Sequence, residues 1–244
     1  MKIPSFNPLD LGKEEVLLAP IEKTRREFWV LVGILGIFVL FGLIAYSFQI
    51  NYGLGTTGLN QPVYWGIYIV DFVFFIGISH AGTLISAILR ATKAEWRRTI
   101  TRSAEMITVM VLLIGGVQPI IDMGRPERWI NIIYHPQFRS PILWDIVSIG
   151  TYFTGSITYL YLPLIPDIAI LRDRETRPKF LYKILAVGWK GTEKQWKILN
   201  RLISIMMVVI IPIAVSVHTV VSWVFAMTIQ PFWHSTIFGP FFVA

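Results

Sequence analysis

Between Phe28 and Phe48 the chain carries no charged side chain at all. As helix, such a run rises about 1.5 Å per residue and crosses the ~30 Å hydrocarbon layer of a bilayer. Four more runs meet the same requirement. Tyr64 to Leu89 is interrupted only by Asp71 and His80, and a run from about Ala104 to Ile121 begins with Glu105. Ile146 to Pro166 lies between Asp145 and Asp167, and Leu202 to Ile229 contains only His218. A sixth apolar stretch opens at Phe232 and stops at Ala244, too short to cross. Lipid offers no partner for backbone N–H and C=O groups, so runs of this length must satisfy them internally as helix. The expected fold is an all-α polytopic transmembrane bundle of five complete spans plus the start of a sixth. Residues 1–27 form its N-terminal segment and residues 28–244 its transmembrane domain. The close on Gly239-Pro240-Phe241-Phe242-Val243-Ala244 leaves an apolar segment without a polar flank, so the expectation is a piece of a longer protein.

Composition supports a membrane protein. Charged residues make up 15% of the chain and mean hydropathy is +0.60, where a soluble domain has about a quarter of its residues charged. The chain has no cysteine. It therefore supplies no disulfide, thiolate zinc site or iron–sulfur cluster, and a redox metal must belong to a partner or to histidines.

The formal charge of +7 is informative through its distribution. Lys2, Lys13, Lys23, Arg25 and Arg26 precede the first run. Arg90, Lys93, Arg97, Arg98 and Arg102 follow the second, and nine more lie between Arg172 and Arg201. Of the 22 basic residues, only Arg125, Arg128 and Arg139 fall on the other side. Excess Lys and Arg mark cytoplasmic loops, which puts the N-terminus and both basic loops on the cytoplasmic side; the membrane expected is a bacterial or archaeal cytoplasmic membrane. Topology accounts for the basic loops, and no nucleic-acid partner is expected. Trp29, Tyr64, Trp65, Trp129, Tyr134, Trp144 and Trp233 fall near predicted interfaces, where amphipathic rings are favoured. The loop at 167–200 has room for a surface helix over about Pro178 to Leu199, with Phe180, Leu181, Ile184, Leu185 and Trp189 partly at helical spacing.

An ionisable residue at bilayer depth is costly and points to function. Counting from Tyr64 puts Asp71 about 10 Å and His80 about 24 Å below the outer face. Counting from Leu202 puts His218 about 24 Å above the inner face. Two polar levels are expected: an outer one of Asp71, His218, Asp122 and Asp145, and an inner one of His80 and Glu105. Asp71 and His80, nine residues apart, fall on nearly opposite helix faces. The plainer reading is that these groups tie helices together by hydrogen bonds, alongside small residues such as Gly77, Ser79, Gly82 and Ser86.

The outer loop carries the most pointed local chemistry. Pro119 ends or bends the third span after Gly115-Gly116, and Asp122-Met123-Gly124-Arg125-Pro126-Glu127-Arg128-Trp129 follows. Arg139-Ser140-Pro141 and Trp144-Asp145 open the fourth span. Asp122 paired with Arg125 stays ionised and can accept a proton while its partner donates hydrogen bonds to a carbonyl. Such a set, with Trp144, Asp145, His135 and Asp71 near it, suits a neutral amphiphile whose polar head exchanges protons. The plainer reading is an Asp–Arg pair that orders the loop.

Several strings together resemble the NrfD/PsrC family of quinone-reactive membrane subunits, and most closely the membrane subunits of alternative complex III. They are DFVFFIGISHAGTLISAILR at 71–90, WRRTITRSAEMIT at 96–108, DMGRPER at 122–128, RSPILWD at 139–145, LIPDIAILRD at 164–173, SVHTVVSW at 216–223 and WHSTIF at 233–238. The resemblance implies a helical bundle of eight to ten spans holding no metal itself. It also implies a quinone, menaquinone or ubiquinone, near the outer face. The implied partners are a periplasmic iron–sulfur subunit, a molybdopterin-type or multihaem subunit and further membrane subunits. By position, Asp122 and Asp145 match residues proposed to bind the quinone head, and Asp71, His80 and Glu105 match polar positions proposed to line proton routes. Complex III relatives usually carry His where Asp122 stands, so the match is looser there. On this reading the chain is a non-autonomous subunit of a quinol-oxidising or quinone-reducing respiratory complex, with His218 joining the proton route.

Two other classes fit parts of the pattern. A di-haem cytochrome anchor would use His80 and His218 as axial ligands, although the expected depths keep them from sharing one haem. A proton-coupled transporter would use the intramembrane carboxylates, but no pair of interrupted helices at matching repeat positions is seen.

Overall fold

The computed structural model describes residues 24–59, 65–174 and 178–228. The segment before 24, Tyr64 and the sixth apolar stretch with Trp233 and the WHSTIF string lie outside these. The described residues are all-α. They form seven α-helices: α1 (Arg26–Tyr52), α2 (Ile67–Ala91), α3 (Arg97–Asp122), α4 (Asn131–Tyr134), α5 (Pro141–Asp173), α6 (Lys179–Leu185) and α7 (Glu193–Thr228). Five of them, α1, α2, α3, α5 and α7, are long and apolar enough to cross a membrane. The chain divides into two compact units, Met1–Asn51 and Tyr52–Ala244. In the first, α1 is apolar around its whole circumference, the pattern of a helix whose every face meets hydrocarbon.

In the second unit, four long helices form a ring in which α2 packs on α3, α3 on α5, α5 on α7 and α7 on α2. Small residues set the closest crossing. A Cβ at Gly82 of α2 would collide with the Thr108 hydroxyl and lie 2.8 Å from the Ala104 carbonyl oxygen, and one at Gly115 of α3 would come within 3.0 Å of Phe75 Cβ. Small side chains let membrane helices approach until backbone and side chain interlock. The apolar core is drawn from Phe72, Ile76, Leu112, Tyr152, Val217 and Val221, among others.

Helix ends depart from the apolar runs for identifiable reasons. Pro141 sits in the first turn of α5 behind Ser140, where its missing N–H costs nothing and its fixed φ suits the helix. α5 therefore starts five residues before the expected Ile146 and continues through Pro163 and Pro166 to Asp173. α3 likewise passes Pro119 and ends at Asp122. The predicted surface helix is shorter than expected. α6 stops at Leu185, and Val187 and Gly188 take positive φ. α7 then begins at Glu193, ahead of the expected Leu202, on a reciprocal cap. The Gln195 backbone N–H donates to Thr192 Oγ1 at 3.3 Å while Thr192 N–H donates to Gln195 Oε1 at 3.3 Å. Thr-x-x-Gln is the sequence signature of such a capping box, and Trp189 set edge-on to Trp196 closes the same turn.

Candidate functional site

The start of α2, the end of α3, the start of α5 and the end of α7 meet at one end of the ring and enclose a cavity of about 610 Å³. Its wall is apolar, with Trp65, Phe72, Trp129, Ile149, Phe153 and Phe225 among the lining residues. Trp65 stands edge-on to Phe225 at 5.2 Å, joining the α2 and α7 sides. Two carboxylates interrupt this wall, Asp122 and Asp145. Asp122 is the last residue of α3, and Asp145 lies in the second turn of α5. Each presents a buried Oδ1 with no hydrogen-bond partner among the described residues. A buried polar atom left without a partner costs roughly 1–3 kcal/mol, more if charged. Two of them on an otherwise apolar wall fit a ligand with polar groups at its head. The volume also falls within the ~300–1,000 Å³ usual for pockets that take a small organic molecule.

Of the site residues read from sequence, the cavity brings together Asp122 and Asp145. Arg125 does not pair with Asp122. Gly124 takes a left-handed φ of 68°, and a Cβ there would come within 2.9 Å of Leu54 Cγ; this conformation turns the chain off the helix axis. The i+3 spacing would have joined the two only in a continuing helix, and Arg125 is exposed. His135, just past α4, is also exposed. Trp144 points away from the cavity. Its Nε1 donates to Phe138 O at 2.7 Å and its ring stands edge-on to Trp223, so it clamps the loop that enters α5. Asp71 is half-buried and lies outside the cavity wall.

The two expected polar levels need correction. His80 and His218 lie at one level, with ring centroids 4.0 Å apart. Counting from the ends of two apolar runs misplaces the two residues relative to each other, because the register in which α2 packs on α7 is set by their contact and not by where each run ends. From the other end His218 is ten residues, or about 15 Å, below Thr228. His80 stands midway along α2. Its Nδ1 lies 2.7 Å from Ile76 O and its Nε2 3.0 Å from Ala214 O, and its ring stacks face to face on Tyr152 at 4.6 Å. Tyr152 OH in turn donates to Ser79 O at 3.0 Å and lies 2.7 Å from Thr83 Oγ1. The two histidines cannot sandwich a haem, though not because their depths differ: the rings touch, and both His80 nitrogens face carbonyl oxygens.

Glu105 is buried in a second cluster toward the basic end. Arg90 donates to its Oε1 at 2.9 Å and Ser86 at 2.5 Å. Ser86 Oγ lies 3.4 Å from Tyr159 OH, and the Arg90 guanidinium sits 5.3 Å over the Tyr159 ring. Sequence reasoning does not single out Arg90, Ser86, Thr83, Tyr152 and Tyr159 as site residues. The available signal is spacing: Ser79, Thr83, Ser86 and Arg90 on α2, and Tyr152, Ser156 and Tyr159 on α5, recur every three or four residues and so share one helix face. Among the described residues no group of three or more His, Cys, Asp or Glu is placed to hold a metal ion.

The sequence profile of the family described as "Polysulphide reductase, NrfD" matches residues 55–244, most of the chain. The protein belongs to the NrfD family. With five long apolar helices it is a multi-pass membrane protein. Proteins similar to this NrfD chain include a putative membrane subunit of dimethyl sulfoxide reductase from Halobacterium salinarum, 28% identical over 87% of this chain and 47% of that protein. A selenate reductase subunit of Mesobacillus selenatarsenatis is 24% identical over 76% of this chain and 45% of its own length. An Hdr-like menaquinol oxidoreductase integral membrane subunit of Archaeoglobus fulgidus is 23% identical over 57% of this chain and 35% of its own. The chain thus spans about half the length of the first two.

Proposed function

We propose that this chain is the quinone-binding membrane subunit of a respiratory oxidoreductase. The carrying observation is the apolar cavity at one end of a transmembrane ring, lined by two carboxylates that each bury an Oδ1 without a partner among the described residues. The NrfD-family match supports it, as does the similarity to proteins named as a dimethyl sulfoxide reductase membrane subunit, a selenate reductase subunit and a menaquinol oxidoreductase integral membrane subunit. A quinone supplies two-electron, two-proton chemistry when bound. Asp122 and Asp145 hold its polar head and take or return protons there, while Trp65, Trp129 and Phe225 exclude water. Electrons exchange with an iron–sulfur subunit docked over the cavity end, which in turn serves a molybdopterin-type or multihaem subunit. A photoreactive azidoquinone should label peptides from 112–129 and 142–153 in the membrane complex, in competition with unmodified quinone. Labelling confined to other peptides removes the cavity from the reading.

The orientation follows from charge. The basic loops face the cytoplasm with the N-terminus, and the cavity opens on the outer side. A cysteine placed at Gly55, where the structure leaves open space, should react with a membrane-impermeant maleimide added outside intact cells. Reaction only after the inner face is opened reverses the orientation and puts the iron–sulfur partner inside.

Proton access from the cytoplasm runs along the polar face of α2 and α5. Glu105 and Arg90 stand at its mouth, Ser86 and Tyr159 continue it, and Thr83, Tyr152, His80 and His218 end it at mid-depth. Asp71 has no place on this face, since it lies nine residues from His80 and close to the opposite side of α2.

A further inference from the structure

The two buried side-chain atoms that the cavity wall leaves without a partner among the described residues are of one kind. Both are carboxylate oxygens, Asp122 Oδ1 from α3 and Asp145 Oδ1 from α5. An ionised carboxylate only accepts hydrogen bonds, whereas a protonated one has a single O–H to donate. The reduced and oxidised forms of a quinone head differ in the same respect. A quinol carries two hydroxyls, each of which donates and accepts, and a quinone carries two carbonyl oxygens that only accept.

A quinol head donates to the Oδ1 atoms while the carboxylates are ionised, and its hydroxyl turns to accept where a carboxyl is protonated. Its binding therefore needs no change of protonation. A quinone head brings acceptors to acceptors. With both carboxylates ionised, carbonyl lone pairs face carboxylate lone pairs on a wall that is otherwise apolar, where an unmet polar group is most costly. The indole N–H groups of Trp65 and Trp129 also belong to residues of the wall. An indole bonded to a quinone carbonyl still leaves both carboxylate oxygens without a donor. A proton on one carboxyl resolves the mismatch, because it supplies the O–H and removes a charge.

We propose that the cavity tells quinol from quinone through the proton on Asp145: quinol binds whether Asp145 is ionised or protonated, and quinone binds only with a proton taken up there. The proposal rests on the cavity reading above and adds the redox form that the site selects. Asp145 carries the proton because it stands about 6 Å inside the start of α5, whereas Asp122 ends α3 beside the exposed Met123. Facing the two carboxylates, α2 contributes Tyr68, within electrostatic reach of Asp122. From α7 the wall takes Val221, Val224 and Phe225, none of which titrates. His218, three residues from Val221, lies toward the middle of the ring against His80. Arg125, Glu127, Arg128 and Arg139 of the connecting loop are exposed, where water and salt screen their charges.

The test is calorimetric titration of the solubilised complex without oxygen, in paired buffers of different ionisation enthalpy so that protons exchanged on binding are counted. Menadione is added to the oxidised complex and menadiol to complex reduced beforehand with dithionite, so that neither head changes its redox state. From about pH 5.5 to 8.5, menadione affinity should fall with a slope approaching tenfold per pH unit as one proton is taken up, while menadiol affinity should change by less than about twofold. Asp145→Asn, whose amide N–H donates to a carbonyl at every pH, should bind menadione with no slope and no proton uptake. Menadione that binds the parent without proton uptake overturns the proposal, and so does an Asp145→Asn variant that keeps the parent's slope. If Asp145→Asn does not assemble, infrared difference spectra of the parent decide. Menadione at the alkaline end should replace a carboxylate stretch with the C=O stretch of a protonated carboxyl and menadiol should not, and spectra without that exchange overturn the proposal. Failure of both heads to bind at any pH removes the cavity reading and the proposal with it, whereas binding of both with the same slope removes the proposal alone.

Discussion

Asp145→Asn in an assembled complex is expected to turn over quinol at least roughly tenfold more slowly than the parent. A positioned proton acceptor typically contributes about 10²–10⁴-fold, and the lower figure allows for water as a substitute acceptor. The argument is geometric. Asp145 lies in the second turn of α5, on the wall of an apolar cavity, with a buried Oδ1 that no described residue engages. Asparagine keeps the shape and removes the capacity to take a proton, so α5 and its neighbours are left undisturbed. The measurement is quinol-dependent reduction of the complex's own electron acceptor in membranes, normalised to assembled protein. Parent-like turnover takes Asp145 out of the chemistry. Failure to assemble assigns it instead to anchoring the start of α5.

Arg90→Leu is expected to cost about 3–5 kcal/mol of stability, the loss typical when one partner of a buried ion pair is removed. Arg90 and Glu105 are 12% and 2% exposed, so neither charge has water to fall back on. Arg90 supplies a 2.9 Å hydrogen bond to Oε1, and Ser86 alone remains when it is gone. Pairing Arg90→Leu with Glu105→Gln should recover most of the loss, because a neutral pair of similar volume is often as stable as a buried ionic one. Denaturant unfolding followed by tryptophan fluorescence reads the cycle, and additive losses would show that the two residues do not act as a pair. Glu105→Gln alone also tests the proton route. Proton uptake per electron should fall while menadione binding is retained, and unchanged uptake returns Glu105 to a packing role.

The Arg102–Asp167 ion pair illustrates a contrast in scale. It joins α3 to α5 near the basic end, but its side chains are 52% and 38% exposed. An ion pair with that access to solvent contributes little, about 0–1 kcal/mol. Burial, not the presence of opposite charges, is what makes the Arg90–Glu105 pair the larger effect.

How far the residues alone carry depends on which physics is at work. The bilayer is a solvent in one dimension, so an apolar run long enough to cross it specifies a helix with little help from other helices. The five spans are legible for that reason, and so is the meeting of Asp122 and Asp145, since each ends or begins a helix on the same side of one short connection. Capping is legible too: Thr192 and Gln195 announce the start of α7. Which residues touch inside the ring is decided only by the tertiary structure. Register between helices depends on side-chain interlock, as where Gly82 admits Thr108 and the Ala104 carbonyl, and no periodicity within one helix states it. That interlock brings His218 onto His80 and stacks Tyr152 on His80, and it sets Arg90 on Glu105. The left-handed turn at Gly124 likewise carries Arg125 away from Asp122, because a single backbone angle outside the helical range overrides the spacing that favours their pairing.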